Sequence, residues 1–487
     1  MQYIIIFMKL FAIIGLIIYF VILLFAVTRE KKNTSAKEYF FANRNLSSVA
    51  LAITFIASWW GSGSALSTAD LAYNDGLGAF FYYGVPVLIS CFLMILCSKL
   101  IRNVGFLTQG SMMESRYNKT VSKLLSVMIL IFMTFNAASQ MVGMGDFFGS
   151  FLGLRYEWGV LIGTLVVFIY SLFGGFRAVV LTDIIQFILL SLSAFIVFFV
   201  AMHHSGGFTA ISNTASSLGK EGFMSMASGA KKYLVYVITF GCSWMIQANV
   251  WQRISASKNE KEARKMTLIS FFSFIPLYLI VVFTGMAGLV LFPKALPTGG
   301  IVSAITTNFM HPLLAALVFV GISAAIMSTM DSLINTAAMT LTLDLTPSKI
   351  SEESKLRLSR LATLIVTLVA ILISMKLRSI LEVTMIASNV ITTGAFVPLI
   401  LGFLWKRGND KGATVSMIFG LIYSTYNFLI YLGVPLPSFW EYGSAIELLI
   451  GVGGSFILYV VVSLCTKPDY DKAFSFISLA RHGNAKD

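Results

Sequence analysis

Thirteen apolar segments, most of them about 20 residues long, succeed one another from residue 3 to residue 466. About 20 apolar residues suffice for a helix to cross the hydrocarbon core of a bilayer. Hydrophobic residues make up 57% of the chain and charged residues only 12%, against about 25% charged in soluble domains. The sequence therefore predicts an all-α polytopic membrane protein. The predicted spans are approximately 3–27, 47–72, 78–101, 121–151, 157–174, 178–202, 233–252, 266–292, 312–343, 358–375, 380–404, 412–432 and 444–466.

The basic residues predict how the chain is oriented. Its net charge of +13 could indicate a nucleic-acid partner, but the Lys and Arg residues lie between the apolar segments. If the loop with Arg29 and Arg44 is cytoplasmic and the segments alternate, 27 of the 35 Lys and Arg residues are cytoplasmic. Cytoplasmic loops are enriched in these residues. We therefore expect a plasma-membrane protein of the bacterial inner-membrane type, with its N-terminus outside, its C-terminus in the cytoplasm and no nucleic-acid partner.

The sequence lacks the features that are typical of several other classes of protein function. The longest loop, near 203–232, has only about 30 residues, and the chain has no Walker A motif. A repeated glycine-bounded pore loop, which would favour a channel filter, is missing, as is a nucleophile or metal cluster typical of an enzyme. The composition thus favours transport driven by an ion gradient and no enzymatic activity.

Two spans are interrupted by residues that form helices weakly. The second contains WWGSGSALS (59–67), and the seventh contains GCSWMIQAN (241–249). Small residues allow close helix packing, but they also allow the second span to unwind near 57–61 and free carbonyl groups for a cation. If the first span is peripheral, both interruptions open successive five-helix sets. That correspondence predicts an inverted repeat with a site near the bilayer midplane.

The segment SAAIMSTMDSL (323–333) places polar groups at the end of an apolar run. Ala325, Ser328 and Thr329 share one helix face, and Asp331 and Ser332 continue it nearly a turn later. Their oxygen atoms are suitable ligands for sodium. The alternative is that the hydroxyls bond back to carbonyls one turn earlier. That alternative does not account for Asp331, because a carboxylate within a span is costly unless it is partnered.

A second acid has a similar expected depth. Asp183, in AVVLTDIIQF, lies about five residues inside the cytoplasmic end of its span, and neither acid-bearing span contains a Lys or Arg that would neutralise it. Asp183, Asp331 and Ser332 are therefore candidates for a second cation site or a proton site. Bonding of Asp183 to a helix end or a hydroxyl is the structural alternative.

Four segments, in order and correctly spaced, resemble the sodium/solute symporter family, whose members carry proline, pantothenate, sugars or sialic acid. They are YSLFGGFRAVVLTDIIQ (170–186), QRISASKNEKEARK (252–265), AAIMSTMDS (324–332) and FVPLILGFLWKRGNDKGA (396–413). The resemblance implies a LeuT-like 5+5 inverted-repeat core and sodium-coupled symport of a small organic solute by alternating access. The implied organisation is 1–46, a peripheral helix and loop; 47–404, the core; 405–467, two peripheral helices; and 468–487, a cytoplasmic tail.

The resemblance also implies ligands. One sodium would bind the residues at positions Ala57, Trp60, Ala325, Ser328 and Thr329. A second sodium site in some members corresponds to Asp183, Asp331 and Ser332. Since Asp331 adds negative charge compared with the members that have serine at this position, the ion stoichiometry stays open.

By position, the implied solute contacts are Trp59, Ser62, Ser64, Gln140, Trp244, Gln247, Asn249, Ser388 and Asn389. Packing is the alternative role of the aromatic residues. We see no arginine in a core span that would bind a carboxylate, which favours a neutral or zwitterionic solute. Two functional alternatives remain at this point: proton coupling through Asp183 and Asp331, and a facilitator or channel of the same fold. The sequence does not indicate the oligomeric state.

Overall fold

The structure, a computed structural model, describes residues 2–28, 40, 46–347 and 350–483. Arg29 and Arg44, which mark the predicted cytoplasmic loop, lie outside the described residues. Within them the regular structure is helical, as predicted, apart from one isolated bridge between Leu46 and Ser257. The α-helices are α1 (Gln2–Thr28), α2 (Ser48–Trp59), α3 (Thr68–Asp75), α4 (Gly84–Val104), α5 (Gln109–Arg116), α6 (Lys119–Leu152), α7 (Tyr156–Ser205), α8 (Gly207–Ser217), α9 (Ser228–Lys232), α10 (Leu234–Met245), α11 (Ala248–Ala256), α12 (Glu260–Leu291), α13 (Ile301–Phe309), α14 (Pro312–Leu343), α15 (Glu352–Lys376), α16 (Ile380–Gly394), α17 (Phe396–Leu404), α18 (Asp410–Tyr431), α19 (Ala445–Cys465) and α20 (Tyr470–His482).

The described residues form ten helical segments that are long and apolar enough to cross a membrane, or eleven if the bent pair α16 and α17 forms one span. Two shorter apolar helices, Ser48–Trp59 and Tyr156–Leu172, add to these. The predicted count of thirteen spans is therefore not established. The predicted spans 157–174 and 178–202 lie on one continuous helix, α7, whose 50 residues would extend about 75 Å if it were straight.

Both predicted helix breaks are confirmed. Helix α2 ends at Trp59, and the backbone of Trp60 (φ −91°, ψ 63°) leaves the helical conformation before a π-helical turn at Gly63–Ser67. Helices α10 and α11 are separated at Ile246 and Gln247, where Gln247 is extended (φ −67°, ψ 121°). Small and polar residues weaken these helices locally, so tertiary packing decides where each one opens.

Helix α14 lies at the centre of the molecule. It packs against α1, α2, α6, α7 and α15, and 83% of its most apolar 18-residue stretch is buried within the protein. The most apolar 18-residue stretch of α1, by contrast, is only 28% buried. The polar residues of α14 are thus enclosed by protein, and each of them needs a hydrogen-bond partner on its own helix or on a neighbouring one.

Candidate functional site

The break after α2 meets α14 at the turn that carries Ser328 and Thr329. The Ser328 hydroxyl lies 2.8 Å from the carbonyl oxygen of Ala57 and 2.9 Å from that of Ala325. The Thr329 hydroxyl lies 3.2 Å and 3.3 Å from the same two oxygens. Four of the five residues expected to bind sodium are therefore brought together. Both the back-bonding alternative and the contact between helices are realised, because each hydroxyl reaches a carbonyl on its own helix and one on α2.

Trp60, the fifth residue, lies at the break itself. Its N–H donates to the carbonyl of Ile56 at 3.0 Å, and its indole ring packs edge-on against Tyr278 with centroids 4.8 Å apart. Its non-helical backbone turns its carbonyl away from the regular direction of α2. The assignment of this carbonyl as a ligand stays a prediction.

A cavity of about 40 Å³ lies between this turn and the broken helices. Pockets that hold drug-sized ligands have volumes of about 300 Å³ or more, so this cavity must widen to take an organic solute. No charged residue lines it within the described part of the chain. The lining residues are Ser58, Trp59, Gly61, Gly63, Ser64, Tyr83, Val87, Asn136, Gln140, Trp244, Gln247, Tyr278, Thr329 and Leu333.

Five of the nine expected solute contacts are on this lining: Trp59, Ser64, Gln140, Trp244 and Gln247. Ser62 is next to it and positions one of them, since its N–H and hydroxyl lie 2.7 Å and 3.0 Å from Oε1 of Gln140.

The other three expected contacts do not line the cavity. Asn249 is fully buried, and the Ser388 hydroxyl is buried outside the lining. The Asn389 amide donates to Glu447 of α19 at 3.0 Å. One N–H of this amide thus serves a peripheral helix, and solute contact by Asn389 stays a prediction.

The second candidate cluster contains a base as well as two acids. The guanidinium of Arg253, in α11, lies 3.3 Å from Oδ2 of Asp183 and 2.9 Å from the hydroxyl of Ser332. The Thr54 hydroxyl donates to the same oxygen of Asp183. Asp331 has a different partner, the Tyr170 hydroxyl at 2.7 Å. Neither acid-bearing span contains a Lys or Arg, as the sequence shows, but Arg253 reaches Asp183 from α11.

The comparisons with known proteins identify the family. The family model described as "Sodium:solute symporter family" matches residues 39–420, which is more than half of the chain. The chain belongs to the sodium:solute symporter family. The expected sodium-coupled symport of a small solute is thereby confirmed, with Na⁺ as the co-transported ion, and the symporter is a multi-pass membrane transporter rather than an enzyme. Proton coupling is not favoured.

Individual relatives resemble the symporter over most of their length. The sodium/glucose cotransporter of Vibrio parahaemolyticus is 24% identical, with 84% of this chain and 83% of the relative covered. The osmoregulated proline transporter OpuE of Bacillus subtilis is 28% identical, with 93% and 95% covered. A solved Na⁺-coupled sialic acid symporter, in a substrate-bound outward-open state, superimposes with a TM-score of 0.78 at 19% identity, covering 94% of this chain and 98% of its own. The LeuT-like fold is thus confirmed.

Three polar or aromatic residues are among the lining residues that sequence reasoning did not assign to the site. Tyr83, Asn136 and Tyr278 line the symporter's cavity, and the Tyr278 hydroxyl lies 2.8 Å from that of Ser64. Tyr83 and Trp244 are in ring contact, with centroids 4.9 Å apart. The polar residue Asn136 in an apolar helix was a usable signal, whereas the two tyrosines resemble the many aromatic residues that only pack.

Arg253 was missed for a different reason. The predicted span ends at residue 252, so Arg253 falls in the expected cytoplasmic loop, yet it lies within α11 and its side chain is only 1% exposed. A usable signal was its position four residues after Asn249, within the second half of the broken helix, where Nη1 donates to the Asn249 carbonyl at 2.9 Å.

Proposed function

We propose that the transported sodium binds at the junction of α2 and α14. Its ligands there are the carbonyl oxygens of Ala57, Trp60 and Ala325 and the hydroxyl oxygens of Ser328 and Thr329. The observation that carries the proposal is that the hydroxyl oxygens of Ser328 and Thr329 each lie within 3.3 Å of two carbonyl oxygens. One of these carbonyls is on α2 and the other is on α14. Hard monovalent and divalent cations prefer oxygen ligands of this kind.

Sodium at this junction would couple to the solute through the broken helix. Ala57 lies two residues before Trp59, and Thr329 contributes both to the junction and to the cavity lining. A sodium ion that fixes α2 against α14 therefore also fixes one wall of the cavity. Each ligand then raises the affinity for the other by the same factor, and such coupling is typically about 1–3 kcal/mol.

The membrane potential supplies the direction. With the N-terminus outside, as the distribution of Lys and Arg predicts, an inside-negative potential contributes about 2.3 kcal/mol per charge per 100 mV to inward sodium movement. Alternating access driven by inward sodium movement imports the solute into the cell. This direction of transport suits a protein of the bacterial inner membrane.

The cavity favours a neutral or zwitterionic solute. The described lining is uncharged, and it combines the aromatic faces of Trp59, Trp244 and Tyr83 with the amides of Gln140 and Gln247. The Trp59 Nε1–H group is buried without a hydrogen-bond partner in the described residues, so it is a free donor for a solute acceptor. An anion would lack a basic partner in this lining, which makes its desolvation costly.

The test is a thermal-shift screen of the purified protein with L-proline, D-glucose and pantothenate, each in NaCl and in KCl. We expect stabilisation by a neutral or zwitterionic solute in NaCl only, because bound sodium fixes one wall of the cavity. Equal stabilisation in both salts would contradict the coupling. Stabilisation by pantothenate alone, which is an anion, would contradict the proposed solute class but not the sodium site.

A further inference from the structure

The break between α10 and α11 changes the hydrogen bonding of the Ile246 carbonyl. In a continuous helix the Val250 N–H would donate to this carbonyl, which lies four residues earlier. Here the Val250 N–H donates to the Gln247 carbonyl instead, at 3.1 Å. A side chain from another helix donates to the Ile246 carbonyl, since Nε2 of Gln109 lies 2.8 Å from its oxygen. The break is therefore held from outside the broken helix.

Gln109 is the first residue of α5, a helix of eight residues. Its side chain is buried, with 4% of the residue exposed, and its Oε1 atom has no hydrogen-bond partner in the described residues. Only the NH2 end of an amide can donate, so the contact with a carbonyl fixes the orientation of this group. Among the described residues, the break is thus where the Gln109 side chain makes its hydrogen bond.

The same short helix is tied to α14. Thr108, which caps α5, accepts from the Ser111 N–H at 3.1 Å and donates to Oδ1 of Asp344 at 2.5 Å. Asp344 directly follows α14, the helix that carries Ser328 and Thr329. Helix α5 therefore bridges the C-terminal end of α14 and the break between α10 and α11.

We propose that Gln109 is a positioning residue for the solute site and acts through the peptide group between Ile246 and Gln247. The carbonyl of this group binds Gln109, and the residue that follows it, Gln247, lines the solute cavity. A peptide group is planar, so a fixed carbonyl also fixes the N–H of Gln247 and the direction in which its backbone continues. Movement of α5 with the end of α14 therefore moves one wall of the cavity. The inference rests on the proposed solute cavity.

The experiment is hydrogen–deuterium exchange, read by mass spectrometry, on the purified full-length protein in lipid nanodiscs with NaCl. Gln109→Met keeps an unbranched side chain of similar length but removes the donor. We expect the backbone amides of residues 247–250 to exchange about fivefold faster or more, because a buried carbonyl that loses its donor favours local opening to water. No solute is added, so the result does not depend on the identity of the solute.

Gln252→Met is the matched control. Gln252 is also buried and lines the same small cavity beside α5, but its amide donates to the Phe40 carbonyl and accepts from Thr336. Its loss removes a buried amide of the same size without touching the Ile246 carbonyl. We expect wild-type exchange at residues 247–250. Equal acceleration in both variants would contradict the proposal, since the effect would not be specific to Gln109.

Sodium titration followed by melting temperature separates a positioning role from general destabilisation. The half-saturating sodium concentration of Gln109→Met should stay within about twofold of the wild type, because the contact of Ala57 with Ser328 lies on other helices. A large loss of sodium affinity would mean that Gln109 supports the whole core, and it would overturn the proposal.

Unchanged exchange at residues 247–250 in folded Gln109→Met would overturn the proposal directly. Gln109→Ala is the second variant if the methionine variant does not fold, with the same expected exchange. Failure of the proposed solute cavity has a separate signature: no solute in the thermal-shift screen stabilises the wild type in NaCl, although residues 247–250 still respond to the loss of Gln109.

Discussion

The hydroxyl oxygen of Ser328 lies 2.8 Å from the carbonyl oxygen of Ala57, although 271 positions separate the two residues in the chain. The contact joins α2, which ends at the first helix break, to α14. It also forms at the place where a carbonyl near the end of α2 can turn toward a neighbouring helix, because the regular helix stops at Trp59. This contact therefore depends on the helix break and also forms part of the proposed sodium site.

Ser328→Ala should raise the sodium concentration needed for half-maximal thermal stabilisation at least tenfold. The variant removes one proposed ligand but adds no bulk, so the protein should still fold and reach the membrane. Ser323→Ala is the control, because Ser323 is equally buried on the same helix but, among the described residues, its hydroxyl bonds only to the Phe319 carbonyl one turn earlier. The same sodium dependence in both variants would remove Ser328 from the site.

Gly61→Ala should weaken the binding of both sodium and solute. A Cβ atom at Gly61 would overlap with Oε1 of Gln140 and lie 2.9 Å from the Thr329 hydroxyl, so both side chains must move. Gly453→Ala is the control, because Gly453 is also in an apolar helix but has no atom within 4 Å of the added methyl group. Sodium titration followed by melting temperature measures both. If the Gly61 variant titrates like the Gly453 variant, the site does not depend on this close packing.

The sequence alone is sufficient to predict the two helix breaks and the shared helix face of Ser328 and Thr329. Glycines and amides in an apolar run are a local signal, and the spacing of Ser328 and Thr329 places them on one face whatever surrounds the helix. Arg253 differs, because its burial depends on Asp183, Ser332 and Thr54, which are 70, 79 and 199 positions away. Such contacts are a property of tertiary packing, and a count of loop charges does not contain them.

Asn389 shows the same limit of prediction from the sequence. A polar residue in a span predicts a buried partner, but the sequence does not say which helix supplies it. The partner is Glu447, a residue of the peripheral helix α19, which lies outside the expected core. The direction in which the Asn389 side chain points is decided by the packing of α18 and α19 against α16, and the sequence pattern of α16 alone does not predict this.

Glu447→Ala should therefore lower stability by about 2 kcal/mol and leave sodium binding unchanged. Glu447 is only 3% exposed, and it accepts from the Asn389 amide and from the Gly443 N–H, both of which would lose a partner. Glu441→Ala is the control at an exposed carboxylate, where changes are usually within about 0.5 kcal/mol. Thermal unfolding with and without NaCl separates the two effects. A variant of normal stability that fails to bind sodium would place Glu447 in the transport site.

Asp344 should make the stability of the symporter depend on pH near neutrality. It follows the end of α14 and accepts from the Thr108 hydroxyl at 2.5 Å, which ties α14 to the start of α5. Burial raises the pKa of the Asp344 carboxyl from 3.8 to about 7, against the opposing effect of the bond from Thr108. The folded protein thus binds this proton more tightly than the unfolded chain, and the stabilisation it gives is lost as the pH rises through about 7.

Asp344→Asn isolates this contribution, because the amide has a similar shape but does not titrate. We expect the melting temperature of the wild type, relative to that of the variant, to rise as the pH is lowered from 8.5 to 5.5. The other titrating groups are common to both proteins and cancel in the difference. A difference that stays constant across this range would mean that the Asp344 carboxyl keeps its charge in the folded protein, and the junction of α14 and α5 would then have no pH dependence from this residue.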